Sequence, residues 1–353
     1  MFKVKMTLLF LVSVLFIRIT KQLIAIRNYF YAILEVILGC KNPWKILLIL
    51  LGLKDKTVIE VKTKPERLSI LVNKRNYKIL YYICLLRNKQ HLIFWKETLA
   101  FPPHRVALKQ NELSEKKLAI ILKASNYGLL LDEYDKEHWI VNLKNGLKFK
   151  VRKDISADVH TVVDIFCKGV YNKFCSNIEG KVVLDIGAFI GDTPIMFSIN
   201  GAKLVVAYEP DPSSYKLALE NIRLNNIKNV KLVSAGICDK RGTMMIKGYI
   251  HKEEITVNML SLNEVIESME EVDLIKMDCE GCEFPAVMST SNETLSRVKE
   301  LIIEYHDYPG LIVKKLESTG FTVKVEKPCW VSDGKPIGFL YAKRNEKINC
   351  KQI

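Results

Sequence analysis

The stretch Val182-Val-Leu-Asp-Ile-Gly-Ala-Phe-Ile-Gly-Asp-Thr193 constrains this chain more than any other part of it. Apolar, β-prone residues run into Asp185, Gly187 and Gly191, and a helical pattern follows at once. The pattern predicts a buried strand, a tight glycine turn and a helix whose N-terminal amides face whatever lies above the turn. A second apolar run, Lys203-Leu-Val-Val-Ala-Tyr-Glu-Pro210, ends in Glu209, eighteen residues beyond Gly191. An acid at the carboxyl end of a neighbouring strand is placed to accept hydrogen bonds from both hydroxyls of a ribose. The alternative is an ordinary strand, turn and helix that happens to hold two glycines, and Glu209 weighs against it.

The spacing narrows the nucleoside. A dinucleotide fold wants Gly-x-Gly-x-x-Gly, because its second glycine lets the backbone approach a pyrophosphate. Here the pattern is Asp185-x-Gly187-x-x-x-Gly191, with an acid in the turn. A carboxylate there repels a pyrophosphate and suits the ammonium of an amino-acid moiety. The ligand that joins a ribose to an amino acid without phosphate is S-adenosylmethionine.

The remaining carboxyl half fits an open, doubly wound α/β sheet. Strand-like runs are expected at Val230–Ser234, Asp273–Met277 and Glu300–Tyr305, with helices at Ser213–Leu224, Ser261–Met269, Phe284–Val298 (interrupted near Ser289) and Leu311–Ser318. Two further runs, Phe321–Glu326 and Ile337–Lys343, are too close together for a crossover helix, so they should pair as an antiparallel hairpin. Five parallel strands with a terminal hairpin make the Rossmann-like seven-stranded sheet of class I methyltransferases.

Residues from about Leu143 to Lys343 resemble the FkbM-type methyltransferases. The blocks that carry the resemblance are Asp185-Ile-Gly187-Ala188-Phe-Ile-Gly191-Asp192-Thr193, Glu209-Pro210, Lys276-Met-Asp278-Cys-Glu280-Gly281-Cys-Glu283 and Glu304-Tyr-His306. The opening segment Asn142–Arg152, Asp164-Ile-Phe and Tyr171 are similar too, although the family more often shows a glutamate where Asp164 stands. The resemblance implies a cofactor site made of Asp185, Gly187, Ala188, Gly191, Asp192, Glu209, Ala235 and Asp278.

Asp278, Glu280 and Glu283 follow the fourth parallel strand and Glu304 and His306 end the fifth, on the sheet edge where ligands bind. Methyl transfer to an alcohol needs alignment of the acceptor and removal of its proton. Asp278 and His306 are the candidate bases, with Glu304 orienting the imidazole or the substrate. The same side chains could instead hold a divalent metal ion that polarises a hydroxyl, a reading that is not favoured. Glu283 alone reads better as an acid at a helix N-terminus, and His306 could be a structural hydrogen-bonding histidine. Cys279-x-x-Cys282 alternates with these acids, and no second such pair completes a four-thiolate site. Nine scattered cysteines give no disulfide framework, so reduced thiols in an intracellular protein are expected.

The amino-terminal half is a different object. Residues 1–150 hold 27 Lys plus Arg against 11 acids, whereas residues 151–353 hold 26 against 28, so the net charge of +14 belongs to the front. Three regions are expected: a basic, apolar, amphipathic helical segment over 1–56, a small α+β region over 57–150 and the methyltransferase domain over 151–353. The apolar run Thr7–Ile17 is short for a membrane span, and Arg-Ile-Thr-Lys after it offers no cleavage site for a signal peptide. Basic apolar helices within 1–53 suit the interface of an anionic membrane; the alternative is a cap on the catalytic domain. In the middle region, strands are expected at Thr57–Thr63 and Leu68–Leu71, a helix at Ser114–Ala124 and a break at Pro102-Pro103.

A basic half also raises nucleic acid as a partner. Its charges are interleaved with apolar runs, and the fourth strand ends in Asp278-Cys-Glu-Gly instead of the Asn/Asp-Pro-Pro-aromatic block of amino-methylating enzymes, so nucleic acid is disfavoured. The expectation is an O-methyltransferase acting on a hydroxyl of a sugar, glycolipid or secondary metabolite, cytoplasmic and peripheral on a membrane. The alternative from another class is a non-catalytic, membrane-attached assembly or glycan-binding module that keeps the fold.

Overall fold

The computed structural model describes residues 40, 42, 45, 56–61, 63, 68–73, 76, 78–88, 92–95, 97–174, 177–248, 253–332 and 334–344. Nearly all of the helical segment expected over 1–56 lies outside the described residues. The chain divides into two compact units, Met1–Val163 and Asp164–Ile353. No helix among the described residues is long and apolar enough to cross a membrane.

In the first unit, β1 (Lys56–Val61) and β2 (Leu68–Asn73) pair antiparallel, as their alternating sequences suggest. Helix α1 (Lys78–Asn88) follows, then a small sheet of β3 (Ile93–Trp95), β4 (Thr98–Ala100) and β5 (Ala107–Lys109). The break at Pro102-Pro103 is a turn with a cis bond between the two prolines. Helix α2 (Glu115–Tyr127) starts where Ser114 accepts the Lys117 amide and stops at Gly128, whose φ of +66° ends it. A second meander joins β6 (Leu130–Glu133), β7 (His138–Asn142) and β8 (Lys148–Arg152), and α3 (Ser156–Val162) packs against α2. Asp158, fully buried on α3, takes both the amide and the guanidinium of Arg152. That buried ion pair ties α3 to β8 within the first unit.

The second unit is built on one sheet. Its strands are β9 (Val182–Ile186), β10 (Leu204–Tyr208), β11 (Val230–Val233), β15 (Val272–Met277), β16 (Val298–Tyr305), β17 (Phe321–Val325), β18 (Trp330–Ser332) and β19 (Lys335–Arg344). Between β11 and β15 lie three strands of a separate small sheet: β12 (Gly236–Cys238), β13 (Gly242–Lys247) and β14 (Glu254–Ser261). The main sheet runs β11-β10-β9-β15-β16-β19-β17, parallel through β16 and antiparallel on both sides of β19, with β18 folded back on β19. This is the α/β order expected, five parallel strands with the Phe321–Val325 and Lys335–Arg344 hairpin at the end.

The helices are α4 (Asp192–Ile199), α5 (Pro212–Leu224), α6 (Leu262–Glu267), α7 (Glu283–Ser289), α8 (Asn292–Leu295) and α9 (Gly310–Ser318). Strands buried on both faces read as continuous apolar runs, and β9 and β15 are buried at every position. Alternate residues serve opposite layers. Leu184, Ile186, Ile275 and Met277 join Val265, Val287 and Leu316 in one core, while Val183 and Leu274 join Phe197, Phe174 and Phe339 in the other. The carboxyl ends of β9, β10, β15 and β16 therefore open on a common edge.

Candidate active site

The turn after β9 is shaped by backbone that most residues avoid: φ is +85° at Gly187, +45° at Phe189 and +86° at Gly191. The amides of Gly187 and Ala188 both donate to the Tyr208 carbonyl, and the Asp278 amide donates to Ile186. A Cβ on Gly187 would lie 1.9 Å from the Asp278 carbonyl oxygen. The glycine thus lets the turn lie flush against the strand-end loop that carries the carboxylates. Gly191 precedes α4, and a Cβ there would lie 3.1 Å from the Ala218 backbone on α5.

Asp185 sits behind this turn. It is fully buried, accepts the Thr193 hydroxyl at 2.6 Å and lies 3.1 Å from Lys276 Nζ, which also donates to the Gly187 carbonyl at 2.7 Å. Burial opposes the Lys276 charge, but Asp185, Asp278 and Asp192 around it outweigh burial and raise its pKa. Asp185 therefore braces the turn from inside. Asp192 is buried at the start of α4, and Ala188 and Ala235 are buried as well. Glu209 holds the Phe189 amide at 2.8 Å with one oxygen and the Asp211 amide at 2.9 Å with the other. Burial pushes its carboxyl up to about 8.

A cleft of ≈ 290 Å³ opens beside Gly187, Tyr208, Pro210, Gly236, Ile237, Cys279 and Glu280. Met244, Ile246 and Met259 from the small sheet form its apolar wall. Among the described residues no Lys or Arg lines it. A nucleoside that carries phosphate would want such cations; a phosphate-free nucleoside does not. The residues present therefore fit S-adenosylmethionine. The wall was missed in the sequence, although Glu254–Ser261 alternates polar and apolar residues with a period of two. Its Met-rich composition and the short strands around it hid that signal.

On the far side of the cleft loop, the carboxylate cluster assembles as the sequence suggested. Tyr171 Oη donates to Asp278 Oδ2 at 3.4 Å. His306 directs Nδ1 to Glu283 at 3.1 Å and Nε2 to Glu280 at 3.4 Å. Glu283 is buried in the first turn of α7 and also accepts the Cys279 amide, so it serves both the helix start and the histidine. Burial opposes the imidazolium, but Glu283, Glu280 and Asp278 overcome it and raise His306 to about 9. Burial and the neighbouring Asp278 raise Glu304 to about 9. The histidine is thus held as a cation at neutral pH, and Glu304 and Asp278 stand as a hydrogen-bonded pair of acids.

Ligand atoms of Asp278, Glu280 and His306 fall within 4.8 Å of one another, a spacing that could hold a metal ion. Both imidazole nitrogens are already directed at carboxylates, and the imidazolium supplies the positive charge that an ion would bring. The cysteines depart from expectation. Cys279 and Cys282 are joined in a disulfide across Glu280-Gly281, whose φ values are +57° and +116°. That turn brings the two cysteines to a Cα separation of 5.5 Å, within reach of a bond that scattered spacing did not reveal.

A second cleft, of ≈ 450 Å³, opens beside the cluster. Its lining includes Glu283, Phe284, Tyr305, His306, Asp307, Tyr308, Ile312 and Lys335. Gly281 and Pro285 line both clefts.

Residues 185–323 match the family described as Methyltransferase FkbM domain. Methyltransferase 1 of Beauveria bassiana is 23% identical over 230 residues, covering 52% of this chain and 90% of the relative. Methyltransferase sdnD of Sordaria araneosa is 21% identical over 223 residues, covering 47% and 85%. Among solved structures, the magnesium protoporphyrin IX methyltransferase of Synechocystis, with bound SAM, is similar at 13% identity and a TM-score of 0.34, covering 54% of this chain and 82% of that one. The precorrin-6y C5,15-methyltransferase of Geobacter metallireducens is similar at 18% identity and a TM-score of 0.34, covering 50% and 88%.

Proposed function

Residues 185–323 match the methyltransferase FkbM domain, and from that premise we propose that the chain transfers a methyl group from S-adenosylmethionine to a hydroxyl of a sugar, glycolipid or secondary metabolite. One observation carries the reading: Gly187 lets the nucleoside turn lie directly against Asp278, so the cofactor cleft and the carboxylate cluster form one site. When bound, S-adenosylmethionine supplies the electrophilic methyl group and departs as its thioether.

The chain's own residues do the rest. In this reading Glu209, at the end of β10, takes the ribose hydroxyls, and the apolar wall of Met244, Ile246 and Met259 excludes water from the base. Asp278 takes the proton of the acceptor hydroxyl as its oxygen forms the new bond to carbon. Tyr171, donating to Asp278, and Glu304 beside it hold that carboxylate in place. His306, a cation held by Glu283 and Glu280, fixes those two carboxylates beside the acceptor. The reading extends to residues 1–53 as a contact with an anionic membrane surface.

Titration calorimetry with S-adenosylhomocysteine tests the proposal. Wild type is expected to bind, and Glu209→Ala to lose affinity by at least tenfold, the worth of one charge-assisted hydrogen bond of about 1.5–3 kcal/mol. Asp278→Asn should keep the affinity and lose turnover by about 10²–10⁴-fold, the usual contribution of a general base. A folded wild-type protein that binds no S-adenosylhomocysteine would return the chain to the non-catalytic reading.

A further inference from the structure

The cleft beyond His306 has features that the cofactor does not use. Phe284 is 45% exposed and Tyr308 55%, and both line this cleft. Large aromatic side chains left half-exposed beside a polar cluster mark a surface meant to be covered. Their placement follows from the sequence. Phe284 comes directly after Glu283, which holds the imidazole, and Tyr308 comes two residues after His306 itself. Phe284 is therefore carried with Glu283 by the first turn of α7, and Tyr308 with His306 by the loop after β16.

The charges around the cleft are settled among themselves. Glu283 faces His306, and Asp307 takes the Lys335 ammonium at 2.6 Å. Glu280, largely exposed at the edge of the cluster, adds a further acid. Among the described lining residues no uncommitted lysine or arginine is offered to a phosphate or carboxylate, and an anionic ligand would meet carboxylates. Aromatic faces suit the C–H face of a saturated ring, while carboxylates suit its hydroxyl edge. The cleft volume of ≈ 450 Å³ lies in the range of small-ligand sites.

We propose that this cleft is the acceptor subsite and that Phe284 and Tyr308 select an uncharged pyranose-type glycoside, with the ring face on the aromatics and its hydroxyls toward the carboxylates that His306 holds; this rests on the methyltransferase reading above. The volume and the paired charges give the class, and the two aromatics set affinity without touching the cofactor cleft.

Saturation-transfer NMR on the full chain, loaded with S-adenosylhomocysteine, tests it. The probes are the methyl β-pyranosides of glucose, galactose, mannose and rhamnose, with glucose 6-phosphate as the anionic control. At least one neutral glycoside is expected to receive saturation on its ring C–H protons, and glucose 6-phosphate is expected to receive none. Phe284→Ala and Tyr308→Ala should weaken that glycoside roughly tenfold, about the worth of one aromatic contact, with S-adenosylhomocysteine affinity unchanged. Phe284→Tyr and Tyr308→Phe, which keep a ring, should retain binding. The proposal is overturned if no neutral glycoside binds the loaded protein, if the alanine variants bind undiminished, or if the phosphate ester binds better. Failure of the methyltransferase reading looks different, because the wild-type protein would then not bind S-adenosylhomocysteine at all.

Discussion

Glu209 shows how one side chain can report on a ligand. Burial lifts its carboxyl from an ordinary 4.5 to about 8, so near pH 7 the empty site holds it largely protonated. Ribose hydroxyls donate to the ionised form and favour it. Nucleoside binding should therefore expel a proton between pH 4.5 and about 8, approaching one per site near neutrality. Calorimetry of S-adenosylhomocysteine in buffers of different ionisation enthalpy measures this directly. Glu209→Gln should abolish the buffer dependence; a wild type without it would remove Glu209 from the ribose. The same raised value means that this carboxyl lends the empty fold most stability below pH 4.5 and loses that contribution as pH rises through about 8. Glu209 was legible in the sequence because strand, turn and acid lie close together along the chain. Lys276 was quoted in its motif but given no role, because its partners Asp185 and the Gly187 carbonyl are supplied by a neighbouring strand.

The turn between β9 and α4 is where local backbone and tertiary contact meet. Gly187→Ala places a Cβ 1.9 Å from the Asp278 carbonyl at a φ of +85°, so strain and overlap add. A loss of about 2–5 kcal/mol is expected, together with weaker cofactor binding. Urea unfolding and calorimetry check both; unchanged values would mean that the turn does not need to lie against Asp278. The main sheet was legible because its strands are continuous apolar runs separated by helical periods. The small sheet β12-β14-β13 was not, since its strands are short or exposed on one side and carry methionines in place of β-branched residues. The disulfide was illegible for another reason. Cys279 and Cys282 are brought together by the left-handed conformation of Glu280 and Gly281, which spacing alone does not specify.

Across the whole chain, charge is divided more sharply than hydropathy. Residues 1–150, where 27 Lys and Arg face 11 acids, carry a net charge of +16, and residues 151–353 carry −2. Each basic residue near an anionic surface contributes about 1 kcal/mol, and the attraction falls with salt. The full chain should sediment with phosphatidylserine vesicles at low salt and dissociate at high salt. Deleting residues 1–40 should abolish sedimentation while S-adenosylhomocysteine binding persists; vesicle binding that survives the deletion would leave those residues as a cap. In the second unit, the two clefts share Gly281 and Pro285 and each has its own lining beyond that partition. On the proposed assignment of these clefts, donor and acceptor would arrive by separate doors and be resident together. Turnover is then expected to run through a ternary complex with a rate law sequential in form, and the enzyme would have no reason to store a methyl group on itself between one substrate's departure and the next one's arrival.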